Sequence, residues 1–249
     1  MARYKVTLAY DGSLFAGFQR QGRVVQEART VQGVVESALS ELGWQERTTL
    51  AAGRTDAGVH ASGQVIAFDL DWLHSLGELQ AAMNAHLPAD VAVQALCLAR
   101  ADFHPRYDAL ARRYCYTLYC QPARNPLRDR FAWRVWPAVT LAALESAART
   151  LIGTHDFAAF GTPPRGFGST VRTVLWAGWQ ADNDGLVFEI VADAFLFHMV
   201  RRLVFAQVRI AQGKLSAGAI QARLAGEERA MVQGLAPPQG LTLVEVIYA

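Results

Sequence analysis

Cysteine is scarce in this chain of 249 residues. Cys97, Cys115 and Cys120 are odd in number and show no C-x-x-C spacing. That supports neither a disulfide framework nor a thiolate zinc site. Lysine is nearly absent, since every cation except Lys5 and Lys214 is arginine. Charged residues make up only 18% of the chain against 52% hydrophobic, which excludes a disordered polyampholyte and describes a globular protein. Apolar runs are broken by charge well short of the ~18–20 residues that a membrane span needs. Met1-Ala2-Arg3-Tyr4-Lys5 leads straight into a strand pattern with no apolar leader, so a cytoplasmic location is expected.

A net charge of +2 is too small to argue for a polyanionic partner. Its distribution says more. Between Arg100 and Arg134 stand eight arginines against three acids, Asp102, Asp108 and Asp129. Arginine suits phosphates and bases because its planar fork donates two hydrogen bonds at once.

Residues 3–10 alternate as a half-buried strand, and Asp11-Gly12-Ser13 turns the chain. Phe15-Ala16-Gly17-Phe18-Gln19-Arg20-Gln21 reads as a loop whose aromatics either anchor it in the core or meet unpaired RNA bases. Thr30 is the expected N-cap of a helix with Val31, Val34, Val35, Ala38, Leu39 and Leu42 on one face and a stop at Gly43. A second helix is expected over 75–86, with Leu76, Leu79, Ala82 and Met83 inward, then a strand over 91–98. Strand–helix–strand–strand–helix–strand is the order of a split βαβ, ferredoxin-like unit, here residues 1–105.

Residues 106–249 are expected to form a second α+β unit. It has a strand over 112–119, an Arg- and Pro-rich connection over 121–137 and a helix over 141–152. A mobile loop over 161–168, a hairpin about 182–185, helices over 199–212 and 217–226, and a closing strand over 241–248 complete it.

The stretch that organises the chain is Ala52-Gly53-Arg54-Thr55-Asp56-Ala57-Gly58-Val59-His60-Ala61. Two glycines bracket an acid between two extended segments, which describes a tight loop carrying charge. On its own, D-A-G would be read as a turn whose acid accepts nearby backbone N–H groups. The whole string, however, resembles the G-R-T-D-x-G-V-H signature of the tRNA pseudouridine synthase A (TruA) family. Other stretches fit the same pattern in order. Tyr10-Asp11-Gly12 with Phe15, Gly17, Phe18, Gln19 and Gln21 resembles Y-D-G-x-x-F-x-G-W-Q-x-Q. Phe103-His104-Pro105-Arg106 with Arg112, Tyr114 and Tyr116 resembles F-H-A-R-x-x-A-x-x-R-x-Y-x-Y. Gly153-Thr154-His155-Asp156-Phe157, Phe195-Leu196-Phe197-His198-Met199-Val200-Arg201 and Ala236-Pro237-Pro238-Gln239-Gly240-Leu241 supply three more. Departures are Phe18 for the usual Trp, Asp193 for Asn, Phe197 for His and Arg202 for Asn. They touch details of RNA contact and leave the signature intact.

The resemblance implies an α+β protein of two ferredoxin-like/RNP-like α/β domains, with mainly antiparallel sheets flanking a central cleft. It implies an isomerase, acting as a homodimer on tRNA uridines at positions 38–40 of the anticodon stem-loop. Pseudouridine formation breaks N1–C1′ and joins C5 to C1′, with no redox change or group donor, so no cofactor or metal is expected. A carboxylate serves as nucleophile on base or sugar, or stabilises positive charge at C1′. Asp56 is the candidate. Arg201 resembles the arginine that pairs with it and favours its ionised form. Arg54 resembles the residue that fills the space of the flipped base. Tyr114 or Tyr116, which share a strand face, stacks on the uracil, and the motif favours Tyr114. His60, Phe18 and Gln19 complete the expected substrate-binding set, with His60 also a candidate to orient the loop.

Two other readings compete. A non-catalytic RNA-binding module fits the two ferredoxin-like units, but the aromatic RNP1 pattern is absent. A hydrolase would need a second D-[ST]-G loop or a second carboxylate, for which Asp156 and Asp193 are the only candidates.

Overall fold

The structure is a computed structural model that describes residues 1–20, 28–163, 168–183 and 185–249. Gln21 of the expected loop, residues 164–167 of the expected 161–168 loop and Asp184 of the hairpin turn lie outside the described residues. The chain folds as two compact units, Met1–Leu110 with Leu243–Ala249, and Ala111–Thr242. The expectation of a boundary after residue 105 kept the whole closing strand with the second half. Residues 243–249 pack instead within the first unit.

In the first unit β1 (Ala2–Tyr10), α1 (Val31–Glu41), β2 (Leu50–Ala51), β3 (His60–Leu70), α2 (Leu76–His86) and β4 (Val91–Leu98) follow the expected order. β1 pairs antiparallel with both β3 and β4, and β2 pairs antiparallel with β3. This is the split βαβ arrangement. Alternation makes β1 a strand with an inside: Tyr4, Val6, Leu8 and Tyr10 are buried, and the residues between them are half-buried. β2 covers only Ala67 and Ile66 of β3, which leaves edge for the closing strand to join. Gly63 permits that approach, because a Cβ there would lie 2.0 Å from the Val244 carbonyl oxygen.

Thr30 caps α1 through a hydrogen bond from the Gly33 amide, and Ser75 closes a capping box with Glu78 at the start of α2. The buried face of α1 is not the apolar stripe expected. Gln32 and Glu36 are buried beside Val31, Val35, Ala38 and Leu39, while Val34 and Leu42 are partly exposed. The reason is polar. Glu36 Oε1 accepts from Gln32 Nε2 (2.9 Å), Thr48 Oγ1 (3.1 Å) and the Thr49 amide (2.9 Å), and Oε2 lies 3.3 Å from Arg20 Nη1. On α2, Leu79 and Met83 are buried as expected, but Leu76 at the first turn is exposed.

The second unit contains β5 (Ala111–Tyr119), β6 (Trp133–Arg134), α3 (Leu141–Arg149), β7 (Gly153–Asp156), β8 (Val171–Asp182), β9 (Gly185–Ala192), α4 (Met199–Ala211) and α5 (Ala219–Leu224). Antiparallel pairings run β5-β9-β8-β7, and β6 lies parallel to β5. The helix expected over 141–152 ends at Arg149, and residues 153–156 form a strand against β8. Tyr116 and Leu118 of β5, Phe188 and Ile190 of β9, Leu144 and Ala148 of α3, and Leu203 and Val204 of α4 make its core. The closing strand β10 (Leu241–Ile247) begins in this unit and ends in the first.

Candidate active site

The signature occupies the connection from β2 to β3. Its backbone is held at nearly every residue. The Ala52 amide donates to Val65 O (2.9 Å), and Gln64 Nε2 donates to Gly53 O (3.2 Å). Thr55 O accepts from the Phe18 amide (3.0 Å), and Asp56 O accepts from the Val59 amide (3.1 Å), which closes a turn with Gly58 at φ +78°. The Thr55 hydroxyl lies 2.8 Å from the phenol oxygen of Tyr10. Within this frame Arg54 is exposed, Thr55 buried and Asp56 half-exposed. The Asp56 carboxyl thus stands at the boundary of solvent on a loop held by hydrogen bonds on both sides.

Two glycines make the frame tight. A Cβ on Gly12 would lie 2.0 Å from Val59 O, and one on Gly17, at φ +101°, would lie 3.1 Å from Thr55 O. The turn after β1 and the loop beyond it are thus pressed against the Asp56 loop, backbone to backbone.

Two of the expected substrate-binding residues are buried. Phe18 is 2% exposed, and its ring lies 6.3 Å from that of Tyr10, so it anchors the loop in the core. His60 is also buried. Its Nδ1 accepts from the Gly12 amide at 3.0 Å, which ties the first turn to the base of the signature loop. Asp11 Oδ1 lies 3.1 Å from the same nitrogen and accepts from the amide (3.0 Å) and hydroxyl (2.6 Å) of Ser13. Gln19 is exposed.

In the second unit, Tyr114 is half-buried near the start of β5, edge-on to Phe195 with ring centroids 5.0 Å apart. Tyr116 is fully buried, donates to Pro237 O (2.8 Å) and lies so near Gly240 that a Cβ there would come within 2.6 Å of its ring. Burial pushes its phenol well above the ordinary tyrosine range, against the opposing effect of the nearby Arg201 charge. Arg201 lies in the first turn of α4. Its Nε donates to Ala236 O (2.8 Å), and its own carbonyl accepts from the Ala236 amide (3.1 Å), a two-way clasp on the 236–241 segment. His198, which precedes α4, sits at φ +66° with its ring stacked on that of Phe197 at 3.6 Å.

The departures have places as well. Asp193 Oδ1 accepts from the amides of Thr173 and Ala194, as an asparagine oxygen also could. Arg202 Nη1 donates to Phe160 O (3.4 Å), and Phe197 is half-exposed. Reading the sequence gave no role to Tyr10, Gln64 or Glu36, whose signals were slight: a tyrosine ending an alternating strand, and two polar residues inside a strand and a helix.

Among the described residues no cluster of histidine, cysteine and acidic side chains could hold a metal ion, and no helix is long and apolar enough to cross a membrane.

Ferredoxin-like topology in the first unit, with an acid held on a loop between two strands, defines the class as an α+β protein with mainly antiparallel strands. Comparison with known proteins gives that class its identity. The family described as tRNA pseudouridine synthase matches residues 7–108 and 147–249. The tRNA pseudouridine synthase A of Shouchella clausii (strain KSM-K16) is 40% identical over 249 residues, covering all of this chain and 94% of the relative. That of Moorella thermoacetica (strain ATCC 39073 / JCM 9320) is 40% identical over 247 residues, covering 98% of each. That of Chloroflexus aurantiacus (strain ATCC 29366 / DSM 635 / J-10-fl) is 39% identical over 253 residues, covering all of this chain and 89% of the relative. The chain belongs to the tRNA pseudouridine synthase A family of isomerases.

Proposed function

We propose that this enzyme converts uridine to pseudouridine at positions 38–40 in the anticodon stem-loop of tRNA, with Asp56 as its catalytic carboxylate. The observation that carries the reading is Asp56 itself: a half-exposed acid on a loop whose backbone is hydrogen-bonded on both sides of it.

The reaction cleaves N1–C1′, turns the uracil and forms C5–C1′. The hydrogen at C5 leaves as a proton, and N1 ends protonated. Asp56 acts on the base or the sugar, or stabilises charge at C1′. Before that step the target uridine must leave the helical stack, at a cost of a few kcal/mol, and exposed Arg54 supplies a cation for the vacated space. Tyr114, the more open of the two β5 tyrosines, stacks on the uracil, and its hydroxyl handles the proton at C5. For Arg201 the resemblance supplies the role of partner to the aspartate. It also supports a cytoplasmic homodimer that works on tRNA without a cofactor.

The test is release of tritium from tRNA transcript labelled at C5 of its uridines, with no metal or cofactor added. Wild type releases tritium, and Asp56→Asn binds the tRNA without releasing it. Release by Asp56→Asn at the wild-type rate removes Asp56 from the chemistry. Tight binding by wild type with no release moves the protein to the RNA-binding module.

A further inference from the structure

The residues on either side of Arg54 are each fixed by a buried polar side chain from the sheet below. Gln64, fully buried in the middle of β3, donates from Nε2 to Gly53 O at 3.2 Å. Tyr10, the last residue of β1, meets the hydroxyl of Thr55 at 2.8 Å. These are costly residues to bury. A strand interior filled by Val, Ile or Phe would pack as well without needing hydrogen-bond partners. Tyr4, Val6 and Leu8 precede Tyr10 on the same buried face of β1, and only the side chain beneath the signature loop uses a hydroxyl to grip it.

From this geometry we propose that Tyr10 and Gln64 are positioning residues for the reaction, a two-point clamp on Gly53 and Thr55 that fixes the aim of Arg54 and Asp56. The inference rests on the reading of Asp56 given above. Neither clamp residue touches substrate; both act through the loop. The chemical reason is preorganisation. An acid that must meet C1′ or the uracil ring within a few tenths of an ångström cannot sit on a loop free to shift, and a displacement of about 1 Å costs on the order of a hundredfold in rate. Backbone bonds hold the loop at Ala52, Thr55, Asp56 and Gly58, but a bond between main-chain atoms leaves the side chains to be placed by other contacts. The Tyr10–Thr55 bond is such a contact, one residue from the acid. Burial pushes the Tyr10 phenol up to about 12, so the hydroxyl stays protonated throughout the working range of the enzyme.

The experiment compares Tyr10→Phe, Thr55→Val, their double variant and Thr55→Ser in tritium-release kinetics. Tyr119→Phe serves as the control for loss of a buried phenol bond, since its hydroxyl donates to Asp129. A positioning role predicts that Tyr10→Phe lowers kcat by about 10- to 100-fold with KM changed less than about twofold. Thr55→Val reproduces that loss, the double variant is no worse than either single, and Thr55→Ser, which keeps the hydroxyl, retains activity. Tyr119→Phe loses melting temperature to a similar degree and keeps its kcat, which separates aim from stability. Should Tyr10→Phe fail to fold, Thr55→Val removes the same bond from the loop side. Wild-type kcat in Tyr10→Phe or Thr55→Val, or independent multiplying losses in the double variant, overturns the clamp while leaving Asp56 in place. Turnover by Asp56→Asn overturns the reading beneath it.

Discussion

Tyr114 and Tyr116 share one face of β5, two residues apart, and have opposite surroundings. Tyr116 is sealed in the core with its hydroxyl on Pro237 O, whereas Tyr114 is half-buried and edge-on to Phe195. The two phenols therefore answer to different assays. Tyr116→Phe leaves the Pro237 carbonyl without its donor and costs about 1–2 kcal/mol, read as a lower urea midpoint. Tyr114→Phe still binds tRNA through the retained ring and loses turnover. Full turnover in Tyr114→Phe would remove the hydroxyl from the proton transfer.

Much of this was legible in the residues because the physics is local. Alternation along β1, a threonine and a serine at helix starts, and glycines flanking an acid each constrain their own neighbourhood. What could not be read was set by distant partners. Glu36 is buried because Thr48 and Thr49 lie across from it, and β10 joins the first unit because β2 covers so little of β3. Phe18 shows the same limit at the site. An aromatic beside Gln and Arg looks ready for a base, and only the position of Tyr10 shows that its ring is occupied.

Gly12 is a second point where the site depends on close approach. Its backbone lies so near Val59 that a Cβ would meet the carbonyl oxygen at 2.0 Å, and backbone cannot give way as the end of a flexible side chain can. Gly12→Ala must push the turn and the signature loop apart. That breaks the Gly12 amide bond to His60, which lies in the same contact. We expect loss of turnover greater than loss of stability, with kcat and melting temperature measured on one preparation. Wild-type kcat in Gly12→Ala would show that the loop keeps its position without this contact.

The Glu36 hub separates a buried acceptor from an exposed ion pair. Glu36→Ala leaves the Thr49 amide, the Thr48 hydroxyl and the Gln32 amide group without their common acceptor, a loss of about 2–4 kcal/mol. Glu36→Gln keeps an oxygen in that place and recovers most of the loss. Arg20→Ala removes the other partner, but the Arg20 side chain is 54% exposed, and its pairing is worth less than about 1 kcal/mol. In urea unfolding, Glu36→Ala is therefore the least stable of the three variants, Glu36→Gln is intermediate and Arg20→Ala stays nearest to wild type. Equal losses for Glu36→Ala and Arg20→Ala would show that the ion pair, and not the buried acceptor, holds this corner together.

Acid should weaken the first unit through two carboxylates with forked arginine partners. Arg3 meets Asp69 with two contacts of 2.7 Å, and Arg29 meets Asp90 at 2.7 and 2.8 Å. The arginine hydrogen bonds hold both carboxyls below the ordinary aspartate range, against the opposing effect of burial. With the folded-state value lowered, the unfolded chain binds more protons as pH falls below its own carboxylate pKa of about 3.9. The stabilisation is therefore complete at neutral pH and is lost as pH falls through the lowered folded values. Asp69→Asn should be less stable than wild type at pH 7 and show a shallower fall in unfolding free energy below about pH 4, so that the two curves converge in acid. Asp90→Asn should do the same. Convergence is the diagnostic feature, because a substitution that merely disturbed packing would displace the whole curve by a constant amount. Parallel curves across that range would rule out these ion pairs as the source of acid sensitivity.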